Sequence, residues 1–337
     1  MGLGRHFNAK IRIPRGLLFV SLLAAACGGT KGPGPTPPVD PPQIACPADV
    51  TLSEVPGLTA DVTYPAPTTT AGAAPVNVTC TPASGTRFSL GETAVACAAR
   101  DAQSREATCS FRVIVKGFTL GVKKFLAVGD SLTAGENGLP SIVDAPNSYP
   151  SKLLGLLTSQ YPNQDVVVVN RGVSGIKAEE LEDRVRDIVT AERPDAVLLM
   201  VGYNNLTLPC GPGRFGTTAC AQAIDFTAVF GTRDAIRRVK ESPAGVKYIF
   251  ASTLVPPGPT GSKRIDREAI LEVNRRIRQH TAAERATLVD TYPLFVGREA
   301  ELVSPDGLHL NPAGYQVMAE AFFTAIRATI PQTPQLR

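Results

Sequence analysis

The sequence predicts an α/β fold, a doubly wound parallel sheet in three layers, preceded by a small all-β sandwich. Three observations predict it. From Lys124 onward, short and nearly continuous apolar runs alternate with segments of helical period. Strands buried on both faces require such runs, and alternating β and α elements imply a parallel sheet with helices on each side. Residues 44–116 instead show short β-branched runs separated by turn residues, the signature of an all-β unit. Four polar, glycine-containing clusters follow the later apolar runs, where such a sheet binds its ligands.

In chain order, residues 1–26 come first. Arg5, Lys10, Arg12 and Arg15 precede an apolar run from Gly16 to Ala26, and no acidic residue is present. The run is shorter than the roughly 20 apolar residues of a membrane-crossing helix, so an export signal is expected. Those four cations account for the whole formal net charge of +4, so the rest of the chain is neutral and no nucleic-acid partner is expected. The stretch Leu23-Ala24-Ala25-Ala26-Cys27 resembles a bacterial lipobox, which implies lipidation of Cys27 and a membrane anchor at the cell envelope. The neighbouring Gly28 is compatible with outer-membrane sorting in a cell with two membranes. Residues 27–43, rich in Pro and Gly, form the expected tether.

Seven cysteines are present; setting Cys27 aside leaves Cys46, Cys80, Cys97 and Cys109 in one cluster and Cys210 and Cys220 in another. Even numbers in an exported chain point to disulfides. No CxxC pair occurs, and no metal or organic cofactor is expected. Within 44–116, expected strands cover Asp49 to Leu52, Ala60 to Tyr64, Val76 to Cys80, Ala94 to Cys97 and Cys109 to Val115. Cys46-Pro47, Tyr64-Pro65, Cys80-Thr81-Pro82-Ala83-Ser84-Gly85, Leu90-Gly91-Glu92-Thr93 and Cys97-Ala98-Ala99-Arg100-Asp101 together resemble the hyalin-repeat (HYR) family of immunoglobulin-like modules. Four cysteines allow three pairings; the one adopted is Cys46–Cys109 with Cys80–Cys97. The segment has no His, so it is expected to act as a spacer or to bind a glycan or protein. Residues 117–123 are expected to link it to a second domain at 124–331.

In that domain the expected strands are Lys124 to Val128, Asp165 to Asn170, Ala196 to Val201, Lys247 to Ser252 and Thr287 to Asp290. Helical faces are marked by Leu181, Val185, Ile188 and Val189, by Ile270, Val273 and Ile277, and by Met318, Phe322 and Ile326. Asn311-Pro312 caps the last of these helices. The four clusters are Gly129-Asp130-Ser131-Leu132, Asn170-Arg171-Gly172-Val173-Ser174-Gly175, Gly202-Tyr203-Asn204-Asn205 and Asp306-Gly307-Leu308-His309.

Acyl transfer needs a hydroxyl, a base, a group orienting that base and donors for an oxyanion. The chain has only three histidines. His6 leaves with the leader, and His280 ends a charged helix as an expected solvated residue. His309 lies three residues after Asp306, a spacing that lets the carboxylate hold one imidazole nitrogen while the other faces a serine. Together the clusters resemble the SGNH, or GDSL, hydrolase family over about residues 124–331. The resemblance implies a flavodoxin-like fold, Ser131 as nucleophile, His309 as base and Asp306 as its orienting partner. It also implies an oxyanion hole from the Ser131 and Gly172 N–H groups and the Asn204 amide. Asn205 departs from the family's usual Asp, which touches support of that block rather than its donor.

A serine esterase or lipase acting on a small-molecule, lipid or glycan ester is the expected function, lysophospholipids and acetylated carbohydrates included. The rival is an envelope adhesion or scaffold protein with an inactive hydrolase-like domain. A Cys210–Cys220 bridge would close a small loop in Thr207–Ala223 bordering the site, and Gly135–Asn147 would form part of its rim.

Overall fold

The computed structural model describes residues 38–335, except 56, 139–141 and 163. The leader, Cys27 and most of the Pro/Gly-rich tether lie outside the described residues.

The first part of the chain is built from eight strands: β1 (Gln43–Ala45), β2 (Val50–Val55), β3 (Thr59–Val62), β4 (Thr68–Thr70), β5 (Asn77–Thr81), β6 (Thr86–Ser89), β7 (Gly91–Arg100) and β8 (Glu106–Leu120). β8 pairs antiparallel with β7, which pairs with β5, while β2 lies parallel to β8 on its other side. Alternation decides which face is dry: Phe111, Val113 and Val115 are buried, whereas Arg112 between them is exposed and ion-paired to Asp49. Val62, Phe88 and Val95 complete that core. β1, β4 and β6 escaped the sequence reading because three or four residues carry too little alternation to show a period.

Cys46–Cys109 and Cys80–Cys97 bridge this sandwich as expected, with sequence separations of 63 and 17. A longer closed loop removes more entropy from the unfolded chain, about 4 kcal/mol for the first bridge and about 3 for the second. Replacing both cysteines of a pair by Ala should therefore lower the urea-unfolding free energy of the sandwich, more for Cys46/Cys109 than for Cys80/Cys97. Equal losses, or none, would contradict the loop-length account.

Residues 117–120 are the end of a strand, and only 121–123 connect it to the next. β8 runs on to Leu120, where β14 (Gln332–Gln335) pairs with it antiparallel, Gln332 opposite Leu120. Leu120 and Val122 are buried in the same core as Phe125, with Phe118 packed against it. The Gln164 side chain binds the Leu120 N–H and the carbonyls of Leu120 and Val122. Residues 117–120, with their backbone paired to β14, are therefore strand, and the buried Val122 holds the short connection to the next strand in the core.

The second part contains a five-stranded parallel sheet of β9 (Lys124–Gly129), β10 (Val167–Gly172), β11 (Ala196–Met200), β12 (Tyr248–Ser252) and β13 (Thr287–Val289), ordered β10-β9-β11-β12-β13. In sequence terms that order is 2-1-3-4-5, so the direction of winding reverses beside β9. Period-two alternation splits each strand between two cores. Phe125 and Ala127 face α2 (Tyr149–Gln160), α7 (Arg267–Ala283) and α10 (Pro312–Thr329); Leu126 and Val128 face α3 (Ala178–Glu192). The predicted helical faces are the buried ones: Leu181, Val185 and Val189, then Ile270, Val273 and Ile277, then Met318, Phe322 and Ile326. Short helices α1 (Ser131–Ala134) and α4 (Tyr203–Leu206) follow β9 and β11, and α5 (Thr218–Ala228) follows α4. These turns at the carboxyl ends of the strands position the site.

Candidate active site

Ser131 is the first residue of α1, directly beyond β9 and at the point where the winding reverses. Asp130 caps that helix. Its carboxylate, fully buried, accepts from the N–H groups of Leu132 at 3.1 Å, Gly202 at 3.1 Å and Tyr203 at 3.4 Å, tying the serine turn to the turn after β11. Burial pushes its pKa up to about 6, against the pull of those three amides. Asn170 makes the matching link from β10: its Nδ2 donates to the Thr133 carbonyl at 2.8 Å, and its Oδ1 accepts the Gly172 N–H at 2.9 Å.

Asp306 and His309 sit on the loop before α10, which begins at the Asn311 cap and Pro312 as the sequence predicts. Asp306 Oδ1 accepts from the backbone N–H groups of Leu308 and His309, each at 3.0 Å. Its Oδ2 lies 2.6 Å from His309 Nδ1, and His309 Nε2 lies 2.9 Å from Ser131 Oγ. Burial alone would raise the Asp306 carboxyl, but the hydrogen bonds from the His309 ring and the two amides outweigh it and hold the pKa at about 2. A carboxylate ionised at every ordinary pH thus fixes the imidazole with Nδ1 as donor and Nε2 toward the serine. This arrangement is able to take a proton from Ser131 Oγ.

Ser131, Gly175, Asn204, Thr207, Leu208 and His309 line a cleft of about 350 Å³, with Glu136 and Lys263 beside them. Asn204 uses one Nδ2 hydrogen on the Ile176 carbonyl at 2.9 Å, which leaves a second for an oxyanion.

Gly172 does not fit the role expected of it. Its N–H is taken by Asn170, it pairs with Gly129 inside the sheet, and a Cβ there would collide with the Ala134 backbone. Its glycine serves the close packing of β10 on α1. Gly175, at φ +82°, lines the cleft instead, and among the described residues nothing accepts its N–H. The cluster holds two glycines, and only the end of β10 at Gly172 tells which one has left the strand.

Asn205 keeps its block supported: its Oδ1 accepts the Ala178 N–H at 2.9 Å and its Nδ2 donates to Glu179 at 2.7 Å. An Asp there would face Glu179 with like charge. His280 lies half-buried in the last turn of α7 rather than solvated, with its pKa lowered by burial and by Arg233 and Arg276. Cys210 and Cys220 form a fully buried disulfide directly beyond Thr207 and Leu208.

Sequence reasoning missed two charged neighbours. Glu136, on the loop after α1, has Oε1 3.6 Å from His309 Nε2. Lys263 Nζ lies 3.7 Å from that carboxylate and 3.5 Å from Asp306 Oδ2. Nothing in their local sequence marks them, because their nearness to His309 is purely tertiary. Among the described residues, no group of three or more His, Cys, Asp or Glu is placed to hold a metal.

Residues 127–317 match the family model described as GDSL-like Lipase/Acylhydrolase family, and residues 38–115 match the HYR domain. An acetylxylan esterase of Geobacillus stearothermophilus is 35% identical over 88 residues, 25% of this chain and 40% of that protein. The spore germination lipase LipC of Bacillus licheniformis is 40% identical over 47 residues, 14% of this chain and 22% of that protein. The chain thus spans less than half the length of these curated relatives. A lipase/acylhydrolase of Enterococcus faecalis superposes with a TM-score of 0.49 at 20% identity, over 64% of this chain and 100% of that one. The Geobacillus stearothermophilus acetylxylan esterase Axe2 superposes at 0.46 with 25% identity, over 60% and 94%.

Proposed function

The chain belongs to the GDSL-like lipase/acylhydrolase family, and from that premise we propose that it hydrolyses carboxylic esters through an acyl-serine intermediate on Ser131. The carrying observation is the unbroken relay from Asp306 Oδ2 through His309 to Ser131 Oγ, at 2.6 and 2.9 Å. His309 Nε2 takes the Ser131 proton as Oγ bonds to the ester carbonyl carbon. The carbonyl oxygen becomes an oxyanion facing the Ser131 and Gly175 N–H groups and the Asn204 amide. The carbon–oxygen bond to the alcohol then breaks, and His309 returns its proton to the departing oxygen. Water repeats the sequence on the acyl-serine and releases the acid. Asp306, ionised throughout, stabilises the transient imidazolium.

Similarity to proteins named for acetylxylan and for lipid supports esters as the class without choosing between acetyl and fatty acyl groups. A fluorophosphonate probe should add once per chain, on the tryptic peptide that contains Ser131. No labelling would favour the rival reading of an inactive hydrolase-like scaffold, and labelling on another peptide would remove Ser131 as the nucleophile.

Asn204→Ala should lower kcat by about 10²–10³-fold with little change in KM, because the lost donor acts on charge that develops only in the transition state. Steady-state kinetics on p-nitrophenyl acetate decide it, and a change confined to KM would place Asn204 outside the oxyanion hole.

A further inference from the structure

Two hollows meet at the Asn204–Leu208 turn. One is the cleft described above, which holds His309, Glu136 and Lys263. The other, about 390 Å³, shares Asn204 and Leu208 with it but none of those three. Pro209, Ala219, Ala223 and Phe226 line it, with Lys177 and Glu179 among its polar neighbours.

The chemistry of an ester assigns the two sides. The departing alcohol oxygen must lie beside His309 Nε2 to receive its proton, and the carbonyl oxygen must face Asn204. The acyl substituent takes the remaining direction, away from His309. On the His309 side a chain would meet the Glu136 carboxylate and the Lys263 ammonium, which suit a polar alcohol and repel an apolar tail. Past Asn204 it would meet Leu208 and Phe226. Both are large apolar side chains left facing water, 80% and 48% exposed, and an apolar ligand would cover them.

The hollow is also held open in advance. Its Leu208–Pro209 wall leads straight into Cys210, its other wall is α5, and the Cys210–Cys220 bridge joins the two one residue beyond Ala219. Phe226 is steadied by stacking on Phe230, with ring centroids 5.6 Å apart. A covalently clamped groove orders little on binding, which favours a flexible ligand.

We propose that this second hollow receives the acyl chain of the substrate, and that the chain is a fatty acyl group longer than acetyl. The assignment rests on the ester-hydrolase reading. It is tested on the purified protein with p-nitrophenyl esters from acetate to decanoate. Burying a methylene is worth about 0.8 kcal/mol, about fourfold in kcat/KM, so a partly open groove should yield about two- to fourfold per methylene up to octanoate. Ala219 is exposed on α5, so Ala219→Trp fills the groove from outside the core. It should lower the octanoate-to-acetate ratio of kcat/KM at least tenfold, and Phe226→Ser should lower the same ratio by making the wall polar. A wild-type series that is flat or falls from acetate overturns the assignment, as does an unchanged ratio in both folded variants. Those results would leave acetate hydrolysis, and with it the ester-hydrolase reading, in place. Failure to hydrolyse any ester, acetate included, would instead bring down that reading itself.

Discussion

Ser131→Ala should reduce kcat on p-nitrophenyl acetate by about 10⁴–10⁶-fold, because the variant lacks the only atom that accepts the acyl group. The substitution removes a single oxygen from a side chain whose Oγ is bonded to His309 Nε2 and does not cap α1, a task performed by Asp130. The helix and the sheet are therefore expected to remain, with a melting temperature close to that of the parent. Residual turnover above the uncatalysed rate would come from the oxyanion donors alone. Kinetics measure the loss, with the parent's active sites counted by titration and the variant's concentration taken from its absorbance. Activity within tenfold of the parent, in a preparation free of contaminating esterase, would remove Ser131 from the reaction.

A second large effect is expected from Asp306→Asn, about 10⁴-fold in kcat. The Asn oxygen still has the shape to accept the Leu308 and His309 amides, so the loop should keep its course. Its other end, however, would present an NH₂ group to His309 Nδ1, where the carboxylate now accepts at 2.6 Å. The ring would then carry its proton on Nε2 and lose the ability to take one from Ser131. The same variant carries a stability signature. The Asp306 pKa is lowered from 3.8 to about 2, so its ionised form contributes stability that is complete above the ordinary carboxylate range and is lost as pH falls toward 2. That contribution amounts to about 2 kcal/mol. Between pH 5 and pH 2 the parent should lose this much more unfolding free energy than the Asn variant, as measured by urea titration. Parallel curves would mean that the carboxylate is not held by His309 in solution.

These two residues were legible before any coordinates because their chemistry is local to short clusters. Asp306 and His309 share one loop at a spacing that suits a carboxylate–imidazole bond, and Ser131 sits in a turn after an apolar strand. The strands of the parallel sheet were equally legible, since burial on both faces demands unbroken apolar runs such as Lys124 to Val128. The faces of α3, α7 and α10 followed from their period. Less legible were positions whose role depends on where an element ends. Residues 117–120 looked like part of a connector because their pairing partner, β14, lies at the far end of the chain. Gly172 looked like the oxyanion glycine because the run Asn170 to Gly175, with its two glycines, does not announce where β10 stops.

What the amino-acid sequence determined alone is therefore the class of fold, the cysteine clusters and the identity of the serine, imidazole and carboxylate. Each depends on residue type and on period over a few neighbouring positions, where backbone geometry leaves little freedom. Only the tertiary structure decided that Gly175 rather than Gly172 lines the cleft with the serine, that Glu136 and Lys263 flank His309, and that a disulfide-clamped hollow with Leu208 and Phe226 on its walls opens beside Asn204. Those features are distances between groups far apart along the chain. Packing of the whole sheet and its helices sets such distances, and no local pattern encodes them.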